Sequence, residues 1–182
     1  MAMLSLLVPV DISKKLEKIS VPGKLEKDHH ITLFYFENGL NFKTVIKLLE
    51  SSFKIISDCG KIKISLSEVK SFGKGDDGYP VIIPIESDDL IEFRKKLAKK
   101  FDDNDIKYSK KWPEFKPHLT LSYSKKEFED MKLKPKLSFQ ADEIVLYSGD
   151  SREENDIIVS LSLKNKKSSY LESYSNVLMK FV

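Results

Sequence analysis

The sequence His30-Ile31-Thr32-Leu33 returns later in the chain as His118-Leu119-Thr120-Leu121. Each phrase opens a run of residues typical of a β-strand, and a strand turns alternate side chains to opposite faces. The histidine and the threonine of each phrase therefore share one face, while the residue between them points into a core. Two such strands brought together would present two imidazoles and two hydroxyls, which can supply a general acid, a general base and donors for a phosphate.

The small number of histidines strengthens this interpretation. The chain has three histidines, and two of them open the matching phrases. One His-x-Thr on a strand is more often a half-buried polar pair than a catalytic one, but coincidence explains two matching phrases poorly. The third, His29, precedes His30 directly, so by strand alternation it should face away from the cleft that the two motif strands would form. We therefore predict a catalytic set without it, made of His30, Thr32, His118 and Thr120.

The composition is that of a folded globular protein with one well-buried core, or with two small lobes that share a cleft. The chain has 182 residues, of which 41% are hydrophobic and 10% aromatic. The net charge of +3 is slight, so non-specific coating of nucleic acid is not expected. Arg94 and Arg152 are the only arginines, so phosphate contacts would come mainly from lysines, hydroxyls and backbone groups.

Several other classes of protein are disfavoured by the sequence. The single cysteine, Cys59, excludes an intrachain disulfide and a cysteine-based metal cluster. No other residues have metal-ligand spacing, so we expect neither a metal nor a cofactor. No apolar run is long enough to cross a bilayer, and the apolar start lacks the features of a secretory signal. We expect a cytoplasmic monomer that does not contact membranes.

Alternating hydrophobic residues predict seven β-strands, bounded by turn signals. The predicted strands are Leu4–Val10, His29–Phe36, Lys61–Phe72, Tyr79–Ile85, Pro117–Tyr123, Leu137–Ser148 and Asp156–Leu163. Helical spacing predicts a short helix from Asp11 to Ile19 and two longer helices, which carry apolar residues over Phe42–Phe53 and Leu90–Phe101. Asn41 and Ser87 precede the longer helices and are suitable N-caps.

The order of these elements predicts an α+β fold with two similar lobes. Each motif strand is accompanied by other strands and by one amphipathic helix, so each lobe should contain an antiparallel sheet. We expect the two antiparallel sheets to face a central cleft, with the helices on the outer faces. Residues 1–164 would form a single bilobal domain, and residues 165–182 an amphipathic, helical C-terminal tail.

The candidate substrate-binding residues come from two patterns. The segment Lys107–Lys116 interleaves lysines with aromatic residues just before His118, as expected where bases stack and phosphates are neutralised. An exposed loop whose aromatic residues cover the core explains the segment equally well. Strand alternation places two further residues on the faces of the motif threonines, whereas Tyr35 and Tyr123 should be core. The predicted set is Phe34, Tyr108, Lys111, Trp112, Phe115, Lys116 and Ser122.

The paired His-x-Thr phrases resemble the signature of the 2H phosphoesterase superfamily. That group includes bacterial 2′-5′ RNA ligase-like proteins, phosphodiesterases that act on 2′,3′-cyclic phosphates, and viral enzymes that destroy signalling oligonucleotides. The stretch Phe115–Leu121 looks very like the family's second motif, with a helix and a hairpin upstream of it. Ile144–Ser148 is similar to part of the closing strands. The resemblance covers most of residues 3–164.

The resemblance implies a bilobal α+β fold and catalysis without a metal. It assigns proton transfer to His30 and His118, and contacts with phosphate oxygens to Thr32 and Thr120. The implied activity is a phosphodiesterase that acts on a nucleotide, a short RNA, or a cyclic or 2′-5′-linked oligonucleotide.

Three alternatives remain open. They are a 2′-5′ RNA ligase or RNA end-processing protein, a non-catalytic nucleotide-binding sponge, and a structural protein that assembles through its C-terminal helix. The lysine-rich, arginine-poor composition is also compatible with an AT-rich genome such as that of many phages. A phage source would make degradation of a host defence signal an attractive role.

Overall fold

The computed structural model describes residues 1–149 and 156–163. These residues form nine β-strands and three α-helices. The strands are β1 (Ala2–Leu7), β2 (Lys24–Leu25), β3 (His30–Phe36), β4 (Ile62–Ser71), β5 (Tyr79–Pro84), β6 (His118–Ser124), β7 (Met131–Ala141), β8 (Glu143–Tyr147) and β9 (Ile157–Ser162). The helices are α1 (Val10–Leu16), α2 (Phe42–Cys59) and α3 (Asp88–Asp103).

The two longer helices begin where their sequences predict. The Asn41 side chain accepts a hydrogen bond from the Thr44 amide at 2.9 Å, and the Ser87 hydroxyl accepts one from the Leu90 amide at 3.3 Å. Each cap satisfies a backbone donor that the first helical turn leaves without a partner. All three helices bury apolar side chains in one core cluster with the strands.

The strands form a hydrogen-bonded order β7-β4-β5-β6-β3-β1-β8-β9, and β2 pairs with β6. Every recorded strand pairing is antiparallel. The predicted α+β fold with antiparallel pairing is therefore confirmed. Its two halves meet between the motif strands β3 and β6, where Ile31 lies opposite Leu119.

Three local predictions were wrong. The expected strand Leu137–Ser148 is two strands, β7 and β8, because Asp142 interrupts the strand. The two strands lie in different halves of the sheet order. β1 ends before Pro9, which occupies the N-cap position of α1. β2 was not predicted. It follows Gly23, whose φ is +92° and where a Cβ atom would lie 2.0 Å from the Tyr123 carbonyl oxygen.

Two further expectations concern the membrane and the end of the chain. None of the described helices combines the length and apolar character needed to span a membrane. The predicted boundary at residue 164 and the predicted helical tail over residues 165–182 lie outside the described residues.

Candidate active site

The two motif strands carry matching patterns of burial. In each strand the histidine and the threonine are half-buried, whereas the intervening Ile31 or Leu119 is fully buried. Because Ile31 and Leu119 are opposite each other and point into the helix-covered core, their sequence neighbours point to the other face. The fold therefore brings all four predicted catalytic residues to one face, at the junction of the two halves.

The two motif imidazoles are held by equivalent hydrogen bonds. Nδ1 of His30 lies 2.8 Å from the Asp28 carbonyl oxygen, and Nδ1 of His118 lies 2.8 Å from the Lys116 carbonyl oxygen. A carbonyl oxygen can only accept, so Nδ1 donates in both rings and carries the proton. Proton exchange with a substrate therefore falls to Nε2 of each ring.

Both motif strands contain a β-bulge directly after the threonine. The partners on β1 skip Leu33 of β3, and the partners on β5 skip Leu121 of β6. A bulge inserts one residue into one strand of a pair, so the alternation of faces is reversed beyond it.

The bulges correct two predictions about the floor of the cleft. Phe34 and Ser122, which strict alternation assigns to the catalytic face, are only 2% and 0% exposed. The Phe34 ring packs 4.9 Å from the Phe101 ring, and the Ser122 hydroxyl donates to the Pro22 carbonyl oxygen at 2.6 Å. Both side chains belong to the interior, so the prediction that they lie on the floor of the cleft was wrong.

The same bulges bring two tyrosines out of the predicted core. Tyr35 and Tyr123 are half-buried. Tyr35 packs against a small apolar cluster that contains Met3. The hydroxyl of Thr32 donates to the sulfur of Met3 at 3.4 Å, so Tyr35 and Thr32 contact the same cluster. Tyr35 therefore shares the catalytic face.

The segment before His118 divides between the core and the surface. The guanidinium of Arg94 lies 5.6 Å from the centre of the Tyr108 ring, 5.2 Å from that of Phe115 and 4.5 Å from that of Phe34. Burial lowers the pKa of Arg94. Tyr108 and Phe115, which are half-buried, thus surround a half-buried cation on the core side. That they bind substrate stays a prediction.

The other three predicted residues of this segment are exposed. Trp112 is 57% exposed, and its ring centre lies 5.9 Å from that of Tyr35. The amino group of Lys111 lies 5.1 Å from the centre of the Trp112 ring. Lys116 forms an ion pair with Glu114 at 3.2 Å. Trp112 and Lys111 remain binding candidates beside the catalytic face, while Lys116 also contributes the carbonyl that holds His118.

Sequence reasoning missed an aromatic residue at the site. The Phe72 ring stacks on the His118 ring, with centres 5.2 Å apart and planes 22° apart. Phe72 directly follows β4, whose pairing with β7 is irregular between Leu66 and Glu68, so alternation counted from Lys61 assigns Phe72 to the wrong face. The only sequence signal for this contact was an aromatic residue at the end of an alternating strand.

The histidine outside the motif lies in a different environment. His29 is 5% exposed, and its Nδ1 lies 3.0 Å from the Ser13 hydroxyl on α1. Burial lowers the pKa of His29. The side chain also helps to line a pocket of about 300 Å³ that His30 borders. A pocket of about 440 Å³, which Cys59 helps to line, lies between α2 and α3 and includes neither motif strand.

The residues that could act on a substrate are imidazoles, hydroxyls and lysines. Within residues 1–149 and 156–163, no group of three or more His, Cys, Asp and Glu residues is arranged to hold a metal ion. Lys70, on β4, forms an ion pair with Glu68 at 2.8 Å. The hydrogen bond that Lys70 donates to Glu68 raises the pKa of Lys70.

Sequence comparison identifies one family. A family model described as the 2′-5′ RNA ligase superfamily matches residues 21–153, a range that includes both motif strands. A search of curated proteins finds no match.

Structural comparison finds the same fold in several solved structures. TT0787 of Thermus thermophilus has a TM-score of 0.69 at 14% identity, with 91% of this chain and 98% of that chain covered. E. coli LigT complexed with 3′-AMP has a TM-score of 0.64 at 15% identity, with 90% and 98% covered. The MHV ns2 PDE domain has a TM-score of 0.52 at 12% identity, with 77% and 96% covered. At these identities the likeness establishes the fold.

Proposed function

Because the chain belongs to the 2′-5′ RNA ligase superfamily of 2H phosphoesterases, we propose that it is a metal-independent phosphodiesterase that acts on a nucleotide or an oligonucleotide. The observation that carries this proposal is the matched pair of Nδ1–carbonyl bonds at His30 and His118. Binding alone would not require two imidazoles oriented in the same way. Acid–base catalysis requires both.

The proposed reaction uses the two Nε2 atoms in opposite senses. One neutral imidazole takes a proton from the attacking oxygen of water or of a ribose hydroxyl, while that oxygen forms a bond to phosphorus. The other imidazole, protonated, gives its Nε2 proton to the ribose oxygen that leaves as the old P–O bond breaks. Histidine serves both purposes because its unperturbed pKa of about 6.5 lets both forms be populated near neutrality. The orientation of the substrate decides which histidine is the acid.

The threonines stabilise the phosphoryl group in this proposal. The hydroxyls of Thr32 and Thr120 donate to the non-bridging oxygens and hold the phosphorus in line with the attacking and leaving oxygens. Thr32 rests on the sulfur of Met3, which is a weak acceptor. A phosphate oxygen is a much stronger acceptor, so the hydroxyl can turn to the substrate at little cost.

The proposed substrate class is supported by two aromatic residues outside the core. Trp112 and Tyr35 offer a stacking surface beside the catalytic face, and Lys111 adds a positive charge there. Base stacking on aromatic rings together with phosphate neutralisation is the usual way to bind single-stranded nucleotides. E. coli LigT, which shares the fold, has been crystallised with 3′-AMP and with ATP.

A 2′-5′ RNA ligase is the second candidate, and the name of the matching family favours it. The same acid–base pair would catalyse both directions, because each proton transfer is reversible. We also propose, from the lysine-rich composition, that the protein is a phage enzyme that degrades a host defence signal.

The proposal is tested by incubating the protein with 2′,3′-cyclic nucleotides, 2′-5′ oligonucleotides, and cyclic di- and trinucleotides in the presence of EDTA. Mass spectrometry of the products should show a phosphodiester cleaved, and a ligase would give a longer product instead. Activity that EDTA abolishes and one divalent ion restores would contradict the metal-independent mechanism. Turnover of none of these compounds would contradict the proposed function.

A further inference from the structure

A lysine lies in the same row of the sheet as Thr120, two strands away. Thr120 of β6 pairs with Ile82 of β5, and Ile82 pairs in turn with Lys70 of β4. Adjacent strands are about 4.8 Å apart, so the backbones of Lys70 and Thr120 are about 10 Å apart. The four-carbon stem of a lysine side chain covers much of this distance.

Burial places Lys70 and Thr120 on the same face of the sheet. Val69, which precedes Lys70, is fully buried in the helix-covered core. Leu119, which precedes Thr120, is buried in the same core. Because successive side chains of a strand point to opposite faces, Lys70 and Thr120 both point away from the helices, to the catalytic face.

A ring contact shows independently that this end of β4 reaches the catalytic residues. Phe72, two residues after Lys70, stacks on the ring of His118. The Lys70 side chain is 40% exposed, so its ammonium group is open to a ligand on this face.

The partner of Lys70 is a carboxylate that a phosphate oxygen can replace. Lys70 and Glu68 form an ion pair at 2.8 Å, and Glu68 lies directly opposite Lys132 of β7. Side chains that are directly opposite in an antiparallel pair interact, so Glu68 keeps a cation beside it when Lys70 turns away. An ion pair as exposed as that of Lys70 and Glu68 contributes little to stability, so exchanging its partner costs little.

The nearby carboxylates keep Lys70 charged. The hydrogen bond to Glu68 raises the pKa of Lys70, and the charges of Glu68, Asp130 and Glu86 raise it as well. The ammonium group is therefore protonated throughout the pH range in which histidines titrate.

The fold itself does not require a charge at this position. In the first half, Thr32 pairs with Ser5 of β1, and Ser5 pairs with Val145 of β8. The residue two strands away from the motif threonine is there apolar and fully buried. A structural role common to both halves therefore does not explain Lys70.

We propose that Lys70 is a further phosphate-binding residue of the reaction, and that it exchanges Glu68 for a non-bridging oxygen of the phosphate held by Thr120. This inference rests on the proposed function. The two histidines supply one positive charge between them, since one imidazole acts as a neutral base. Lys70 adds a second positive charge, which stabilises the phosphoryl group as negative charge develops on it.

The test compares variants that remove the charge with variants that keep it. Lys70→Met removes the charge but keeps an unbranched stem, Lys70→Gln is a second neutral variant, and Lys70→Arg keeps the charge. Lys63→Met is the matched control, because Lys63 lies near the other end of β4, between the buried Ile62 and Ile64, and thus on the same face.

Two quantities are measured for each variant. The first is the dissociation constant of inorganic phosphate, taken from the NMR shifts of the His118 ring, which does not depend on turnover. The second is kcat/KM on a compound that the wild type cleaves. Circular dichroism should show that all variants are folded.

We expect Lys70→Met and Lys70→Gln to weaken phosphate binding about tenfold, the usual contribution of a hydrogen bond to a charged group. Their kcat/KM should fall by at least as much. Lys70→Arg should recover most of the affinity, and Lys63→Met should resemble the wild type. Glu68→Gln leaves Lys70 without its competing carboxylate, so it should bind phosphate at least as tightly as the wild type.

An unchanged phosphate affinity in both neutral variants would overturn the inference, as would a wild type that binds no phosphate. A loss in Glu68→Gln as large as that in Lys70→Met would also overturn it, because the ion pair would then be structural. Phosphate binding that depends on Lys70, in a protein that cleaves none of the tested compounds, would support the phosphate contact and reject the proposed function.

Discussion

The strands β3 and β6 have the same local structure but different neighbours. Each presents a half-buried histidine and threonine, ties Nδ1 to the carbonyl two residues earlier, and bulges directly after the threonine. Around them the halves differ. Thr32 contacts Met3 in an apolar cluster, whereas His118 is stacked by Phe72.

The two strands share their main-chain geometry but not their side-chain neighbours. The repeated backbone arrangement orients the atoms that would react, because the carbonyl bonds and bulges depend on main-chain geometry that both strands share. The side-chain neighbours described for each half, Met3 beside Thr32 and Phe72 beside His118, are different residues. We therefore expect changes to the repeated features to have large and equal effects, and changes to the neighbours to have smaller effects that differ between the halves.

The largest effect should come from the motif histidines. His30→Ala and His118→Ala should each lower the turnover rate by about 10²- to 10⁴-fold, the usual contribution of one positioned acid or base. Circular dichroism should show both variants folded. His29→Ala should keep most of the activity, so steady-state rates for the three variants check the assignment. A similar loss for His29 and His30 variants would show that the wrong imidazole was assigned to the catalytic face.

The next largest effect should come from the threonines. Thr32→Val and Thr120→Val keep the branched shape but delete the hydroxyl donor, and one donor in a preorganised site contributes about 10²- to 10³-fold. In a hydrated cleft we expect the lower end, mainly in kcat, with partial rescue by serine at either position. Rates near wild type for both valine variants would mean that the hydroxyls are structural.

A smaller effect should come from the ring that stacks on His118. Phe72→Leu removes the ring that stacks on His118, and such contacts contribute about 0.5–1.5 kcal/mol, or up to about tenfold in rate. If Phe72 positions the imidazole, kcat should fall while KM changes little, and Phe72→Tyr should restore the rate. Phe42→Leu, at another partly exposed phenylalanine, is the control. A change in KM alone would instead make Phe72 part of the substrate-binding surface.

The smallest effect concerns His29, the residue just before the first motif. His29 is buried, as is Pro117 before the second motif. Burial lowers the pKa of His29 despite the opposing effect of nearby carboxylates. The unfolded chain therefore binds a proton more readily than the folded one as the pH falls through about 6.5. The free energy of unfolding should decrease below this pH and level off below the pKa of the folded state.

Chemical denaturation at several pH values between 7.5 and 5 measures this effect. His29→Gln cannot titrate, so its unfolding free energy should depend less steeply on pH in this window than that of the wild type. Identical slopes for the two proteins would show that the folded state holds His29 no differently from the unfolded chain.

Much of the fold follows from local sequence signals. Asn41 and Ser87 cap the longer helices as predicted, because capping depends on a side chain and an amide only three residues apart. The two motif strands were also predicted from their own alternation. Splitting Leu137–Ser148 into β7 and β8 depends on pairing with β4 and β1, which are distant in sequence, so no local pattern indicates it.

The site shows the same limit more sharply. The placement of the motif residues on one face needed only alternation over three positions. Beyond the threonines, bulges at Leu33 and Leu121 reverse the faces, and every prediction that counted through them was inverted. The stacking of Phe72 on His118 joins residues from separate strands. Composition suggested that the segment Lys107–Lys116 binds substrate, but it could not show which of its aromatic rings pack around Arg94.

The central claim is that His30 and His118 serve one phosphate site through their Nε2 atoms. Long-range ¹H–¹⁵N NMR spectra of the imidazoles, recorded while inorganic phosphate is added, test it directly, with single histidine variants to assign the signals. We predict that neutral rings of both residues carry the proton on Nδ1, and that their Nε2 signals shift together with one dissociation constant while those of His29 stay in place. Shifts at only one of the two histidines, or with two different dissociation constants, would contradict the shared site.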